Sequence, residues 1–379
     1  MSKLLIISHT EHYKNTNGEI VGWGPTVTEI NYLSQIFEKI YHAAPLHQGV
    51  APKSSKSYIS GIEYITLKPS GGKGIQKISI IRQIPYNLSQ ISKYSKQATI
   101  IQFRAPTGIG LYVLPWLKFI NNTQYWVKYA GNWGAETMPL GNRLQRWWLK
   151  NMLSLDTKVT VNGIWVKDKT SIIPFENPCL TENDRIIGKQ LITQKKLTAP
   201  YNFCFVGGLN DNKGVALIID AFSKIKHANL GAVHIVGDGA LKTELELIAK
   251  KINCTIIFHG YIDKTAINEI YKTCHFMILP SKSEGFPKVI GEAMNFGCVP
   301  IVSNVSCIGQ YIQNNENGFL LNQITTEALI KSIIQSLNLE PEIFREYLQI
   351  NHKLAQKFTY SYYLTRIQKE LHTKSSNTN

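Results

Sequence analysis

Residues 276–300, FMILPSKSEGFPKVIGEAMNFGCVP, constrain the fold of this chain more than any other stretch. An apolar run from Phe276 to Leu279 is followed by a turn-forming segment, and apolar residues then recur at helical spacing over about 286–296. A second apolar run begins at Val299. The stretch therefore predicts a strand, a polar loop, a helix and another strand, which is the repeating unit of an α/β sheet.

Two glutamates in this stretch, Glu284 at the end of the loop and Glu292 inside the helix, are separated by seven residues. In an open α/β sheet, ligands bind outside the carboxyl ends of the strands, and helix N-termini there favour anions. Carboxylates accept hydrogen bonds from hydroxyl groups. The stretch therefore offers three parts of a sugar-nucleotide site, which are one phosphate position and two carboxylates for hydroxyl groups.

Strands and helices alternate along the rest of the chain, which predicts βαβ units and parallel sheets. The first series has strands at 3–8, 40–45, 61–67, 98–103, 125–130 and 157–162, helices at 26–40, 76–95, 108–121 and 141–154, and loops at 9–25, 46–60 and 69–75. The second series has strands at 202–206, 232–236, 254–258, 276–279 and 299–302, an apolar segment at 318–321, and helices at 213–228, 240–251, 264–273, 286–296, 325–338, 341–356 and 359–372.

A polar, proline-containing segment at 163–200 separates the two series and marks a domain boundary. We predict two Rossmann-like domains, one at residues 1–185 and one at residues 186–357. Residues 358–379 are expected to form a helix that returns to the first domain, followed by a polar tail.

The chain is basic, with a net charge of +15, and residues 1–185 hold 21 Lys and Arg against 11 Asp and Glu. This surplus indicates anionic partners, such as a phosphorylated ligand, an anionic membrane surface or nucleic acid. Because no nucleic-acid recognition motif is present, we expect no nucleic-acid partner.

The six cysteines all lie from Cys179 onward and have no metal-binding spacing. They fit a reducing cytosol, and we expect no bound metal. No apolar run is long enough to span a membrane. We therefore expect a cytoplasmic protein, with a peripheral position at the inner face of the membrane as the further option.

The second half of the chain resembles the retaining glycosyltransferases of family 4. Four segments carry the resemblance, in order: FVGGLNDNKGVALIIDAF (205–222), HIVGDGALKTELE (234–246), HGYIDKTAINEIYKTCHFMILPS (259–281) and EGFPKVIGEAMNFGCVPIVS (284–303). In the first half, HTEHY, GWGPTVTEI, FRAPTGIG and KYAGNWG are similar to stretches of bacterial surface-polysaccharide members. The resemblance implies an α/β fold of the GT-B type, two Rossmann-like doubly wound domains facing a cleft. It implies further that residues 1–185 bind the acceptor and residues 186–357 bind the donor, a nucleotide-diphosphate sugar, with no cofactor or metal.

The resemblance implies that Lys213 and Glu284 are catalytic, with Lys213 on the donor diphosphate and Glu284 facing the donor sugar. Glu292 is expected to accept both ribose hydroxyls, because a carboxylate suits a vicinal diol. The other donor-binding candidates lie in Gly-containing loops or at the helix start: Gly22, Gly24, Gly207, Gly208, Gly237, Asp238, Gly239, Gly285, Phe286 and Val289. Simpler alternatives are a solvated lysine at 213, an exposed helix glutamate at 292, an acid favoured by the helix dipole at 284 and a helix cap at 238.

Two positions depart from the family pattern. Gly208 stands where many members have an arginine on the diphosphate, and Arg104 is a candidate substitute. Asn132 stands where many members have a histidine, and an amide cannot act as a base. His9 and His12 are alternative polar groups. We retain His9, Arg104 and Asn132 as candidate acceptor or phosphate contacts.

For retaining members, the usual proposal is front-face attack assisted by the leaving phosphate, which needs no protein base. The resemblance thus implies transfer to a glycan or lipid-linked acceptor, in the synthesis of a cell-surface polysaccharide or glycolipid. The alternative is a catalytically degenerate or non-transferase sugar-nucleotide-binding protein of the same fold, such as an epimerase or a phosphorylase.

All seven tryptophans lie at or before Trp165. The segment 142–153, NRLQRWWLKNML, is basic, aromatic and helical in pattern. Such a helix either lies on an anionic membrane surface or packs its tryptophans into the domain core. Both interpretations stay open at this point, and a lipid-linked acceptor would suit the first.

Overall fold

The computed structural model describes residues 2–70, 79–120, 124–153, 157–165 and 169–371. These residues form two compact units. The first unit runs to Phe175 and includes the described residues from Leu364 onward, and the second runs from Glu176 to Tyr363. The predicted tail, and the part of the predicted loop and helix at 71–78, lie outside the described residues.

The strands of the first unit are β1 (Lys3–Ile7), β2 (His12–Lys14), β3 (Ile20–Trp23), β4 (Lys39–Pro45), β5 (Ser55–Ser57), β6 (Ile62–Leu67), β7 (Ile100–Ala105), β8 (Gln124–Tyr129), β9 (Thr157–Val161) and β10 (Ile172–Pro174). Its helices before residue 175 are α1 (Gly24–Leu33), α2 (Ser79–Ser95), α3 (Gly110–Leu117) and α4 (Leu140–Asn151).

A parallel sheet organises the first unit, with the strand order β10-β9-β8-β7-β1-β4-β6. Its strands read as nearly continuous apolar runs because such a sheet is buried on both faces. Side chains of neighbouring strands, among them Leu5, Phe103, Val127 and Val159, form the core. The predicted strands of this sheet are confirmed within about two residues at each end.

A second, antiparallel sheet joins β2, β3 and β5, in a region where we predicted only polar loops. The prediction was wrong because these strands are only three or four residues long, and two of them, HYK and SKS, are polar. The predicted helix at 26–40 also ran too far. It begins with Pro25 in its first turn and ends at Leu33, since β4 already starts at Lys39.

The second unit contains β11 (Tyr201–Val206), β12 (Leu230–Val236), β13 (Ile256–Gly260), β14 (Phe276–Leu279), β15 (Val299–Ser303) and β16 (Phe319–Leu321). Its helices are α5 (Glu182–Gln194), α6 (Val215–Lys224), α7 (Lys242–Ala249), α8 (Lys264–Thr273), α9 (Lys288–Asn295), α10 (Thr326–Leu337) and α11 (Pro341–Ala355), and α12 (Tyr360–Leu371) begins in it. The strands form a parallel sheet in the order β13-β12-β11-β14-β15-β16.

Helix α5 lies in a segment that we treated as a polar linker. Thr181 and Asp184 form a capping box at its start, with Thr181 N donating to Asp184 Oδ2 over 2.9 Å and Asp184 N donating to Thr181 Oγ1 over 3.0 Å. Arg185 Nη1 donates to Asn295 Oδ1 on α9 over 2.7 Å. Because α5 packs within the second unit, the observed boundary falls at Phe175, ahead of the predicted residue 185.

The first and last segments of the second unit run side by side. Leu180 and Thr359 form a parallel β-bridge, Cys179 N donates to Phe358 O over 2.8 Å, and Tyr360 N donates to Leu180 O over 3.0 Å. The chain then continues through α12, whose residues from Leu364 group with the first unit. There, Arg366 Nη2 donates to Pro174 O over 2.8 Å.

Across the described ranges, no helix combines the length and the apolar character needed to cross a membrane. The same residues contain no cluster of three or more His, Cys, Asp or Glu side chains arranged to hold a metal ion. The expectation that no metal or cofactor takes part stays a prediction.

Candidate donor site in the second unit

The second sheet has its topological switch point between β11 and β14. From β11 the chain builds outward through β12 to β13, and from β14 it builds outward on the other side to β16. The loops after β11 (207–214) and after β14 (280–287) therefore meet at the carboxyl edge of the sheet. Ligands bind at this position in open α/β sheets.

Hydrogen bonds join these two loops directly. Asn212 Nδ2 donates to Ser283 O over 2.9 Å, and Lys282 N donates to Asn212 O over 2.8 Å. Gly214 has a positive φ of 70°, and a Cβ there would lie 2.5 Å from Pro280 O. The close approach thus requires glycine between the short 3-10 turn at 211–213 and α6.

Lys213 and Glu284, the two predicted catalytic residues, meet at this junction. Lys213 ends the 3-10 turn, and its backbone N–H donates to Asn210 O over 3.1 Å. Its Nζ forms an ion pair and hydrogen bond with Glu284 Oε1. Lys213 is therefore not a solvated surface lysine. Glu284 also lies outside the first turn of α9, which begins at Lys288, so its partner is the lysine and not the helix dipole.

The loop after β12 packs against the loop after β11. Gly207 N donates to Val236 O over 3.0 Å, and Leu209 N donates to Asp238 O over 2.9 Å. Gly237 has φ 134°, and a Cβ on it would lie 1.8 Å from Gly207 O. The backbones of the two loops are therefore in direct contact at this edge of the sheet, and no side chain separates their peptide groups from a ligand bound there.

The capping interpretation of Asp238 is wrong, because α7 begins at Lys242 with Leu241 as its N-cap residue. Asp238 Oδ1 instead accepts a hydrogen bond from Gly239 N over 2.8 Å, and its side chain is exposed. Gly208 has no close neighbour besides Asn210 Nδ2, which would lie 3.1 Å from an added Cβ.

Glu292 lies on α9, and its carboxylate accepts no hydrogen bond from any residue that the structure describes. Burial raises the pKa of Glu292, while the charges of Lys264 and Lys288 act against this rise. Its carboxylate is thus partly desolvated and has open acceptor positions, which is the state expected of a group that receives ligand hydroxyls.

Lys264 is the group near Glu292 that the sequence pattern did not reveal. It donates to Cys179 O over 2.7 Å and to Asp184 Oδ2 over 2.8 Å. Cys179 reaches α9 as well, because its Sγ lies 3.4 Å from Lys288 O. Asp184 of the α5 capping box therefore holds Lys264 near Glu292, the predicted ribose carboxylate. This connection could not be predicted without the fold.

The three donor-binding candidates near the start of α9, Gly285, Phe286 and Val289, have different surroundings. Phe286 is buried, and its ring stacks on Phe358 with centroids 4.6 Å apart, so its side chain anchors the loop in the core. Gly285 O lies 3.4 Å from Cys307 Sγ, and Val289 O accepts from Tyr271 Oη over 3.5 Å. Any contact of these residues with a donor would come from their backbone N–H groups.

The remaining candidates lie in the first unit, and the two glycines have packing partners there. A Cβ on Gly22 would lie 2.3 Å from His12 Nε2, and one on Gly24 would lie 2.4 Å from Ser54 O. Gly24 N also donates to Ser54 O over 2.9 Å. These contacts account for both glycines without a ligand, and their donor-binding role stays a prediction.

Arg104 is held inside the first unit. Its Nη2 pairs with Glu29 Oε1 over 2.9 Å, its Nε donates to Gln102 Oε1 over 3.0 Å, and Lys128 Nζ pairs with the same Glu29 oxygen over 2.7 Å. No sequence pattern predicted this buried network, since Glu29 and Lys128 are far apart in the chain. Arg104 therefore has a structural partner where we proposed a phosphate.

His9 and Asn132 also have local surroundings. Burial and the nearby His47 lower the pKa of His9, whose Nδ1 has no hydrogen-bond partner among the described residues. Asn132 Oδ1 accepts from Gly134 N over 3.1 Å. Both are partly buried, and their acceptor roles stay predictions.

A chain of hydrogen-bonded side chains beneath His9 was missed by sequence reasoning. His12 Nε2 and His42 Nδ1 both contact Tyr58 Oη, at 2.6 and 2.5 Å, and His42 Nε2 contacts Ser8 Oγ at 2.7 Å. Burial lowers the pKa of His12 to about 4, so this histidine is neutral at pH 7. A histidine inside the apolar strand KIYHAAP was the available signal.

Comparison with known proteins places the family signal on the second unit. Residues 189–354 match the family model described as Glycosyl transferases group 1. An uncharacterized glycosyltransferase of Methanocaldococcus jannaschii is 28% identical over 164 residues, which cover 42% of this chain and 45% of that protein. The chain thus spans less than half the length of this curated relative.

A relative with a named activity comes from Campylobacter jejuni. It is the GalNAc-alpha-(1->4)-GalNAc-alpha-(1->3)-diNAcBac-PP-undecaprenol alpha-1,4-N-acetyl-D-galactosaminyltransferase, 29% identical over 153 residues, 39% of this chain and 41% of that protein. Among solved structures, Anabaena HepE in complex with UDP and glucose has a TM-score of 0.70 at 16% identity, over 99% of this chain and 100% of HepE. The fold is therefore the GT-B fold, and that prediction is confirmed.

Proposed function

We propose that this protein is a glycosyltransferase that moves a sugar from a nucleotide-diphosphate sugar to a glycan or lipid-linked acceptor. One observation carries the proposal. Lys213 and Glu284 come from two loops and meet at the switch point of the second sheet, inside the segment that matches the glycosyl transferase family model. HepE, which shares the fold, was crystallised with UDP and glucose, and this supports a nucleotide-sugar donor.

The proposed mechanism assigns each charged group one part of the donor. The Lys213 ammonium, paired with Glu284 in the structure, would turn to the diphosphate and stabilise the charge that develops on the leaving group. Glu284 would then be released to face the donor sugar, and the open Glu292 carboxylate would accept the ribose hydroxyls. Catalysis would consist of positioning and charge stabilisation.

Retention of anomeric configuration is part of the proposal. Front-face attack assisted by the leaving phosphate needs no side-chain base, and this suits a chain with Asn132 where relatives carry a histidine. Membership of family 4 rests on the same four sequence segments. Because Lys213, Glu284 and Glu292 are all present and two of them are in contact, nothing favours the alternative of a degenerate binding protein.

On the acceptor side, we propose a lipid-linked glycan in the synthesis of a cell-surface polysaccharide or glycolipid. The Campylobacter jejuni relative is named for an undecaprenol-diphosphate acceptor, which supports this choice. A cytoplasmic protein, peripheral at the inner face of the membrane, would reach such an acceptor, and the surplus of basic residues would suit its anionic surface.

The proposal is tested first by thermal shift with a panel of nucleotide sugars, since a specific ligand raises the unfolding temperature by mass action. The donor found is then used to measure transfer or donor hydrolysis by wild type and Lys213→Ala. We expect turnover to fall about 100-fold, the scale seen when one charge-stabilising donor is removed.

Lys224→Ala is the matched control, because this exposed lysine on α6 has Asp220, one turn away, as its only ion-pair partner among the residues that the structure describes. Its turnover should equal that of wild type. If Lys213→Ala stays within about threefold of wild type, the leaving-group role of Lys213 is lost.

A further inference from the structure

Helices α3 and α4 of the first unit present an exposed apolar ridge. Leu140, Leu144 and Trp147 are 61%, 50% and 53% exposed, and Leu111 on α3 is 45% exposed. The three α4 residues have spacings of four and three, so they share one face of the helix. A recess of about 200 Å³ between the two helices is lined by Leu111, Leu114, Leu144, Trp147 and Trp148, among others.

The opposite side of α4 is fixed to the core of the unit. Leu149 is buried, Trp148 packs against the core, and Gln145 Nε2 donates to Thr107 O over 2.9 Å. Arg146 Nη1 donates to Trp133 O and Ala135 O, each over 2.7 Å. The core therefore accounts for Trp148 and Arg146, and it leaves Trp147 and its apolar neighbours facing outward on a rigid support.

The charges on the two helices have one sign, and the nearest acid before α4 in the chain is the exposed Glu136. Neither α3 nor α4 contains an Asp or Glu residue. Arg143 is exposed beside Leu144, and Lys118 is exposed where α3 ends, next to Phe119, which is also exposed. An apolar stripe with tryptophan and a cationic border is the composition of helices that bind in the interface of an anionic lipid layer.

We propose that this ridge is a docking surface for an anionic lipid membrane, with Leu140, Leu144 and Trp147 entering the interface and Arg143 and Lys118 pairing with lipid phosphates. The inference deepens the proposed function, because it rests on an acceptor that is carried on a lipid. The occupant is argued from complementarity, because an apolar stripe with a tryptophan and a cationic border on both helices matches a lipid layer whose apolar interior lies beneath anionic phosphates.

The test is co-sedimentation of the full chain with phosphatidylcholine vesicles, with and without phosphatidylglycerol, at low and high salt. Wild type should bind the anionic vesicles at low salt and lose much of this binding at high salt. The double variant Leu144→Ser/Trp147→Ser should bind about tenfold more weakly or worse, since two exposed apolar side chains no longer enter the interface. Arg143→Glu should weaken binding to the anionic vesicles alone.

Ile343→Ser/Ile350→Ser, two exposed apolar residues on α11 of the second unit, is the matched control and should bind as wild type does. Equal recovery of wild type on neutral and anionic vesicles would overturn the inference. So would unchanged binding by the Leu144/Trp147 variant, or a loss of self-association in that variant without any vesicle binding by wild type, which would assign the ridge to a second copy of the chain.

Donor binding is measured on the same variants by thermal shift with the nucleotide sugar. Retained donor stabilisation together with lost vesicle binding supports the docking surface. Donor stabilisation without vesicle binding by wild type removes the docking surface and leaves the proposed function intact. Vesicle binding without any donor stabilisation supports the docking surface and removes the proposed function.

Discussion

The charged residues of the candidate site are held in two different ways. Lys213 and Glu284 form an ion pair with each other in a partly buried position. Glu292 has two lysines nearby but no hydrogen-bond donor among the described residues, and its pKa is raised by burial. Burial of this charged carboxylate therefore lowers the stability of the fold, while the proposed function needs the same carboxylate to bind the ribose hydroxyls.

Glu292→Gln tests this opposition. A raised carboxyl pKa in the folded state means that wild-type stability falls as the pH rises from the ordinary value of 4.5 through the raised pKa. Because the glutamine amide does not ionise, the variant lacks this loss of stability. We expect Glu292→Gln to unfold at a higher temperature than wild type at pH 7, with the difference shrinking toward pH 4, and to lose the stabilisation by donor. A variant less stable than wild type at pH 7 would contradict this account.

Gly208→Arg tests the missing cation. The added Cβ would meet only the end of the Asn210 side chain, at 3.1 Å, and Asp238 O at 4.0 Å, so the backbone admits a side chain. A second positive charge near Lys213 should strengthen binding of a nucleoside diphosphate about tenfold in titration calorimetry. Gly208→Ala, which adds the Cβ without the charge, should bind as wild type does. Unchanged affinity in the arginine variant would place the diphosphate elsewhere.

At the level of elements, backbone contacts join the loops of the second unit, and the glycines at 214, 237 and 239 have no space for a side chain. Gly237 is the extreme case, with a left-handed backbone and the Gly207 carbonyl where a Cβ would stand. Gly237→Ala should destabilise the protein by about 3 kcal/mol, measured by denaturant unfolding, because the loop after β12 must move away from the loop after β11.

Gly141→Ala is the control for this change. Gly141 lies in α4, and an added Cβ would meet only Leu111 side-chain atoms at 3.8 Å or more. Its stability should be unchanged or slightly higher, since alanine favours helix. A Gly237→Ala protein as stable as wild type would show that the two loops are not tightly joined.

Elements with a strong local pattern could be predicted from the sequence. Buried parallel strands are continuous apolar runs, and α8 was placed at its observed bounds, 264–273. The strands β2, β3 and β5 could not be predicted, because strands of three or four residues owe their existence to pairing and not to a pattern in their own sequence. Helix α5 did carry a capping box, TEND at 181–184, which we did not use.

The candidate site was also predicted only in part. Lys213 and Glu284 were named by resemblance, but their contact joins residues 71 positions apart and needed the sheet order. Likewise, Glu29 pairs with Arg104, which lies 75 positions away in the sequence, and Asp184 pairs with Lys264, which lies 80 positions away. Charge pairs between distant segments leave no periodic pattern in the sequence. A charged residue whose partner is distant is therefore easily taken, from sequence alone, for a residue that is free to bind a ligand.

On the scale of the whole molecule, the chain has two units, each with its own sheet and buried core. The switch-point loops of the second unit at 207–214, 237–239 and 280–287 form its candidate site. A nucleotide-diphosphate sugar should therefore slow amide hydrogen exchange most strongly in these three segments, measured by mass spectrometry. Protection confined to residues 1–175 would contradict a donor site in the second unit.

The hydrogen bonds between 179–180 and 358–360 have a consequence for how such proteins diversify. Both ends of the second unit leave it at one place, as the two ends of a closed loop do. A segment with adjoining ends behaves as a cassette: recombination near residues 176 and 363 would exchange the whole second unit through two neighbouring junctions. A chimaera built at these junctions should take its sugar preference from the inserted half and keep the host's acceptor.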